Sequence, residues 1–175
     1  MKPRMSRARL TIRSADASHA PSLHALIAAS REEGRLLPRS LDDLVVHADR
    51  FAIALRGKRL VGCAELAPIG PHVAEVRSLA VDVLERGRGV GAQLVAEIRR
   101  RARLDGYERL CAFTHTPGYF SEMGFSIVPH LWVPEKIATD CVTCPRFRQC
   151  GQYAMVASLE SAADNLPAAS VARYA

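Results

Sequence analysis

Aromatic residues are scarce. Phe, Trp and Tyr together make up 6% of the 175 residues, with a single Trp. Proteins that grip single-stranded nucleic acid stack its bases on aromatic rings, and this chain has few to offer. Lysine is scarcer still. Lys2, Lys58 and Lys136 are the three, so 21 of the 24 basic residues are arginine. Long apolar runs are missing too: none approaches the ~18 consecutive apolar residues of a membrane helix. The first apolar stretch is cut by Arg9, Arg13 and Asp16. A secretory signal needs about 7–15 uninterrupted apolar residues. The expected location is therefore the cytoplasm, with no membrane partner.

What remains is an ordinary globular composition, 49% apolar and 24% charged, which excludes disordered and fibrous classes. A chain of this length buries roughly 70% of its unfolded surface and can fold without metal or disulfide. The sequence reads as one domain over residues 1–160. An Ala- and Ser-rich tail at 161–175 is expected to be disordered. A net charge of +6 and a pI near 9.4 point to an anionic partner. The sequence offers no recognition helix and no aromatic platform, so a small anionic ligand is favoured and no nucleic acid is expected.

The pattern alternates between strand and helix. Residues 8–13 alternate as a strand does, and 17–29 carry Leu23, Leu26 and Ile27 at helical spacing. Residues 31–39 read as a loop. Ser40 with Asp43 resembles a capping box that opens a short helix. Residues 51–55 and 60–66 flank Arg56-Gly57-Lys58-Arg59, a hairpin signature. Residues 73–81 are expected to form the longest strand. A helix from about 89 to 105 follows, with Val90, Leu94, Val95 and Ile98 as its buried stripe and Gly106 ending it. Strands near 109–114, 125–128 and 153–159 and a short helix near 117–123 complete the pattern.

The clearest chemical signal is Arg86-Gly87-Arg88-Gly89-Val90-Gly91. Glycine lets a backbone approach a ligand closely, and a helix start leaves N–H groups and a positive dipole end to face an anion. The absence of a following Gly-Lys-Ser/Thr excludes a P-loop. Gly87, Gly89 and Ala92 fit a dinucleotide fingerprint, but that motif should follow the first strand directly, and here Asp82-Val83-Leu84-Glu85 intervene. A Gly-rich turn with no ligand is the bland alternative.

The stretch VRSLAVDVLERGRGVGAQL resembles the acetyl-CoA motif of the GNAT superfamily of N-acetyltransferases, Gln/Arg-x-x-Gly-x-Gly/Ala, matched by Arg86, Gly89 and Gly91. Tyr119-Phe120-Ser121-Glu122-Met123-Gly124-Phe125 resembles that superfamily's second coenzyme A segment. Within it the chain is similar to short, single-domain bacterial N-acetylglutamate synthases. Segments 34–44, 61–66, 74–81, 119–125 and 133–150 carry this narrower likeness.

The resemblance implies an α/β fold with a mixed, mostly antiparallel central sheet flanked by helices. It implies acetyl-CoA as co-substrate, L-glutamate as acceptor and a role in arginine biosynthesis. It places Leu79, Ala80, Val81, Arg86, Gly87, Arg88, Gly89, Val90, Gly91 and Phe120 against the cofactor. A homodimer is common among similar proteins. Other readings are an acetyltransferase for another small amine or a protein N-terminus, and a non-catalytic acyl-CoA-binding module.

Acyl transfer needs a neutral amine, so a base must take its proton. Glu75 is the candidate. In a regular strand Glu75, Arg77 and Leu79 share a face, unless a bulge breaks the register. Glutamate's two carboxylates call for cations, and the planar arginine fork holds a carboxylate by two hydrogen bonds. Arg39 and Arg77 match basic positions of the similar synthases, with Arg35 and Lys136 as weaker candidates. Thr114, His115 and Thr116 end a strand where the acceptor is expected. Phe120 occupies the position at which the superfamily often has a proton-donating Tyr, so the thiolate is expected to leave unassisted. Tyr119 is expected to point elsewhere. Arg99, Arg100, Arg101 and Arg103 read as a solvated face.

Five cysteines are an odd count, against a full disulfide framework. Cys63 and Cys111 fall inside strands. Cys141, Cys144 and Cys150 form C-x2-C-x5-C in a loop. The first two have zinc-ligand spacing, but a closed site needs a fourth ligand, for which only His130 or Asp140 is near in sequence, and no metal is assigned. A metal site, an oxidised pair and free thiols remain open.

Overall fold

The computed structural model describes residues 8–32 and 36–159. The expected disordered tail at 161–175 and the candidate Arg35 lie outside the described residues. Leu10–Ser14 forms β1, Ala20–Glu32 forms α1 and Leu41–Val46 forms α2. Phe51–Arg56 (β2) and Arg59–Pro68 (β3) make the hairpin, and Val73–Val81 is β4. Val90–Leu104 is α3 and Arg109–Thr114 is β5. Pro117–Ser121 (α4), Ser126–Val128 (β6), Pro134–Thr139 (α5) and Tyr153–Ser158 (β7) complete the α-helices and strands of the described residues. β3, at 10 residues, is one longer than β4, which the sequence ranked first.

The seven strands form one sheet in the order β1-β2-β3-β4-β5-β7-β6. Every neighbouring pair is antiparallel except β4 and β5, which run parallel. The sheet is covered on both faces. α3 sets the expected stripe of Val90, Leu94, Val95 and Ile98 against one face, each at most 1% exposed. Small strand residues there, Ala52, Ala54, Ala64 and Ala74, leave room for the helix. On the other face Leu23 and Ile27 of α1 and Leu44 of α2 pack with Phe51, Ile53 and Cys63. Ser40 opens α2 as its pattern suggested, its hydroxyl accepting the Asp43 amide at 3.1 Å.

Two irregularities shape the centre. β4 and β5 pair only over Val73–Glu75 and Arg109–Cys111. Beyond Glu75 the strands part, although β4 runs on to Val81 and β5 to Thr114. Second, β4 carries one extra residue opposite β3: Arg77 pairs with Glu65, but Ala80 pairs with Cys63. The bulge holds Ser78 at φ 50°, a left-handed conformation that side chains seldom adopt. It corrects the regular-strand reading. Leu79 and Val81 turn to the α3 face, while Ala80 joins the α1 face. Leu79 therefore does not share a face with Glu75 and Arg77.

Candidate active site

Glu65, Glu75 and Arg77 project from one face of β3 and β4, because Glu65 and Arg77 are paired partners and Glu75 lies two residues from Arg77. Both glutamates are buried, Glu65 at 1% and Glu75 at 4% exposure. Charges buried so deeply require partners, and the surrounding elements supply them. Lys136 of α5 donates to Glu75 Oε1 at 2.9 Å and to Oε2 at 2.8 Å. Arg77 Nε donates to the same Oε2 at 2.7 Å. Asp140, just past α5, accepts from Lys136 at 2.8 Å and also from Arg77. The Lys136 ammonium sits over the Phe113 ring, 5.1 Å from its centroid.

Arg39, ahead of α2, anchors the other side. Its Nη1 donates to Glu65 Oε2 at 2.5 Å and to the Ser78 hydroxyl at 3.2 Å, and its Nε donates to Asp43 at 2.6 Å. Burial opposes the charge of Arg39, but Glu65 and Asp43 outweigh it and hold the guanidinium pKa above its ordinary value. Arg77 behaves likewise: burial is overcome by Glu75, Asp140 and Glu65. The bulge at Ser78 thus lies beside the cluster and meets Arg39 directly.

The Gly-rich turn lies at the other end of β4. Gly87 and Gly89 take φ of 72° and 75°, and both are exposed. No side chain caps the α3 N-terminus, so the first amide groups of α3 are free of side-chain competitors for an anion. Arg86 folds back to donate to the Val81 carbonyl at 3.0 Å, and Arg88 stands 3.8 Å from Glu85. Val90 and Gly91 are buried beneath the turn. A Cβ on Gly91 would fall 2.1 Å from the Tyr119 hydroxyl. Tyr119, expected to point elsewhere, therefore meets the start of α3. The contact joins the element after β5 to the element after β4, across the mouth of the split between those strands.

Other candidates are placed differently. Phe120 is buried in the main core, edge-on to Phe125 at 5.3 Å between centroids. Thr114 is buried at the end of β5, where its hydroxyl accepts the Thr116 amide at 3.0 Å. His115 is exposed beside Gly151. Cys63 and Cys111 are buried, and burial pushes the Cys63 thiol up to about 12 and the Cys111 thiol up as well. Cys141, Cys144 and Cys150 are free thiols. Among the described residues no group of three or more His, Cys, Asp or Glu side chains is placed to hold a metal ion. Among them, too, no helix is long and apolar enough to cross a membrane.

Sequence reasoning missed Glu65, Ser78 and Asp140. Glu65 did carry a signal: it is the one acid in the apolar run Val61–Ala67, and a lone acid in a buried strand needs a cation. Asp140 drew notice only as a possible fourth ligand beside the cysteines, and Ser78 carried no signal.

The profile of the acetyltransferase (GNAT) family matches residues 19–125. An uncharacterised N-acetyltransferase of Chlorobaculum tepidum is 30% identical over 148 residues, 85% of this chain and 96% of that protein. An amino-acid acetyltransferase of Neisseria meningitidis is 35% identical over 128 residues, 72% of this chain but 29% of that protein. The crystal structure of N-acetylglutamate synthase from Neisseria gonorrhoeae, complexed with coenzyme A and N-acetyl-glutamate, superposes with a TM-score of 0.79 at 31% identity. It is covered over 36% of its length by 89% of this chain. The chain thus spans nearly all of the Chlorobaculum protein and about a third of the two neisserial ones.

Proposed function

The chain belongs to the GNAT family of acetyltransferases, and from that premise we propose that it transfers the acetyl group of acetyl-CoA to the α-amine of L-glutamate, the N-acetylglutamate synthase reaction of arginine biosynthesis. One observation carries the acceptor reading. Two buried carboxylates, Glu65 and Glu75, share a small volume with three cationic side chains, Arg39, Arg77 and Lys136. An amino acid presents the complementary set, one ammonium and one or two carboxylates. The likeness to the gonococcal synthase, at 31% identity and bound to N-acetyl-glutamate, agrees with it.

Acetyl-CoA supplies an acyl group activated as a thioester. The turn fits it on three counts: exposed backbone at Gly87 and Gly89, an uncapped α3 N-terminus, and the glycine at 91. The amides of Val90 and Gly91 would hold the pyrophosphate, with Arg86 and Arg88 adding positive charge. The split between β4 and β5 leaves Leu79–Val81 outside the β5 ladder, with Ala80 and Val81 paired to β3 on their other edge, so the open edge of the strand can face the charge that develops on the thioester oxygen. Glu75 takes the ammonium proton, directly or through water. Arg39 and Arg77 hold the acceptor's carboxylates, with Lys136 beside Glu75. Thr114 lines the end of β5 toward the acceptor. Phe120, buried, supports Tyr119 from behind and donates no proton, so the thiolate leaves unassisted.

A second reading is favoured by the charge count. The three cations already face four carboxylates, with Asp43 and Asp140 added to the glutamates. A neutral α-amino acid or another small amine suits that balance.

The test is product detection by mass spectrometry with acetyl-CoA and a panel of amines: glutamate, glutamine, aspartate, spermidine, an aminoglycoside and short peptides. N-acetylglutamate as the fastest product supports the reading. Acetylation of another amine alone overturns the acceptor and leaves the family standing. Glu75→Gln should then lower kcat by roughly 100-fold or more while the KM for acetyl-CoA holds. An unchanged kcat removes Glu75 from the proton step.

A further inference from the structure

Three thiols stand in one loop that the proposed reaction does not use. α5 ends at Thr139, Asp140 follows, and Cys141–Thr143 forms a single tight turn. The Cys144 amide closes it, donating to the Cys141 carbonyl at 3.1 Å. A turn closed in this way brings its first and fourth Cα atoms within about 7 Å. A disulfide spans about 4.4–6.8 Å between Cα atoms. Cys141 and Cys144 are both reduced and half-buried. Cys144 also lines an open depression of about 410 Å³ with Pro145, Phe147, Arg148 and Gln149. An aromatic ring, a guanidinium and an amide around a thiol suit a small peptide that carries carboxylates.

We propose that Cys141 and Cys144 form a redox-active dithiol, oxidised by a small anionic disulfide of the glutathione class, and that the resulting bond weakens the acceptor site through Asp140. The Cys144 thiolate attacks one sulfur of the incoming disulfide. A mixed disulfide forms and one thiolate leaves. Cys141 loses its proton to solvent and attacks the Cys144 sulfur, expelling the second thiolate. Two protein thiols are oxidised to one disulfide, and the small disulfide is reduced to two thiols. Cys144 attacks first because it lines the depression. Burial holds the Cys141 thiol above its ordinary pKa, which disfavours it as the first attacker.

The link to the site is short. Asp140 precedes Cys141 directly, and its carboxylate accepts from Lys136 at 2.8 Å and from Arg77. The Thr143 hydroxyl donates to the Asp140 carbonyl at 3.3 Å, so the turn and the Asp140 peptide move together. The Cα atoms need not travel, but bringing the two sulfurs to bonding distance re-aims the Cys141 peptide that joins it to Asp140, and in this proposal that takes the carboxylate off both cations. Arg77 and Lys136 then close onto Glu75 alone. Cys150 follows the Phe147–Gln149 turn ahead of β7, its sulfur 3.7 Å from Gln152, which in turn donates to the Phe113 carbonyl at 3.5 Å. The coupling to acceptor binding rests on the proposed function; the oxidation does not.

The experiment incubates the whole chain with glutathione disulfide, blocks remaining thiols by alkylation and maps the peptides by mass spectrometry. Reduced and oxidised samples are then assayed with whichever amine the panel shows to be acetylated. The expected result is a Cys141–Cys144 bond. The KM for the amine rises several-fold, the KM for acetyl-CoA holds, and dithiothreitol reverses the change. Cys144→Ser should keep the reduced-state rate and lose both the bond and the KM shift. Free thiols at 141 and 144 after treatment, a bond from Cys141 to Cys150 instead, or an unchanged KM in a fully oxidised sample each overturns the proposal. The thiol map needs no acceptor, so failure of the glutamate reading and failure of this one are told apart.

Discussion

Arg39 shows how structure and proposed function meet in one side chain. Glu65 is 1% exposed, and the Arg39 guanidinium is its partner at 2.5 Å. Removing one member of a buried pair leaves the other charge stranded. Arg39→Ala should therefore cost about 3 kcal/mol, or about 6–12 °C in Tm for a chain of this size. Lost activity in that variant alone would say little about substrate. Arg39→Leu combined with Glu65→Leu removes both charges and should recover most of the Tm while the KM for glutamate stays high. Recovery of the KM along with the Tm would make Arg39 a structural residue only. Gly91 poses a cleaner case. An alanine there meets the Tyr119 hydroxyl at 2.1 Å and its Cζ at 3.3 Å, and Tyr119 is 39% exposed, so the ring can swing away. Gly91→Ala should raise the KM for acetyl-CoA several-fold with little change in Tm. Adding Tyr119→Phe removes the closest contact and should restore much of that KM. No rescue in this double-mutant cycle would show that the ring is not what the glycine accommodates.

Elements were legible where their pattern is local. The stripe of α3 and the alternation of β1, with Leu10 and Ile12 turned inward, follow from side-chain periods that the sequence displays. The β4 bulge was not legible, because Ser78 at φ 50° has no residue type to announce it; a glycine there would have. α3 also carries a titration the sequence did not expose. Arg99, Arg100, Arg101 and Arg103 read as a solvated face, yet Arg101 and Arg103 reach back to the Phe51 and Leu159 carbonyls, and Glu97 accepts from Arg100 at 2.8 Å and from Arg101 at 2.8 Å. The hydrogen bonds from Arg100, joined by Arg101 and opposed by burial, hold the Glu97 carboxyl down at about 2. A depressed folded-state pKa adds stability above the unfolded value, near 4.3, and loses it as pH falls through the folded one. Unfolding free energy should thus drop between about pH 4.5 and pH 2, with about 1 kcal/mol of the loss due to these helix pairs. Denaturant melts across that window check it. In Glu97→Gln this part of the slope should vanish, and an unaltered slope would assign the acid loss to other carboxylates.

At the scale of the whole molecule, the sequence named the cations and Glu75 but not Glu65 or Asp140, because the pairs that tie the cluster together across elements are distant along the chain. Glu75 and Lys136 are 61 residues apart, and Arg77 and Asp140 are 63 apart. Only the parallel β4–β5 pairing and the return of α5 over the sheet bring them together, and neither is encoded in a local motif. Net charge is the opposite case, a property readable at once but uninformative about place. The chain carries +6, and coenzyme A is a polyanion. Two terms can draw it to the turn: the field of the whole molecule, and the short-range amides of α3. Salt separates them. The screening length shrinks from about 10 Å at 0.1 M to about 3 Å at 1 M, which silences distant arginines but leaves hydrogen bonds at contact. The KM for acetyl-CoA should rise steadily with sodium chloride while kcat holds. Arg88→Gln should flatten that slope, since Arg88 is an exposed residue of the turn, 3.8 Å from Glu85, and under the proposed function would act on the pyrophosphate mainly through space. A KM that does not move with salt would leave the helix amides and the glycine backbone as the whole of the attraction, and would make the arginine-rich surface a matter of solubility alone.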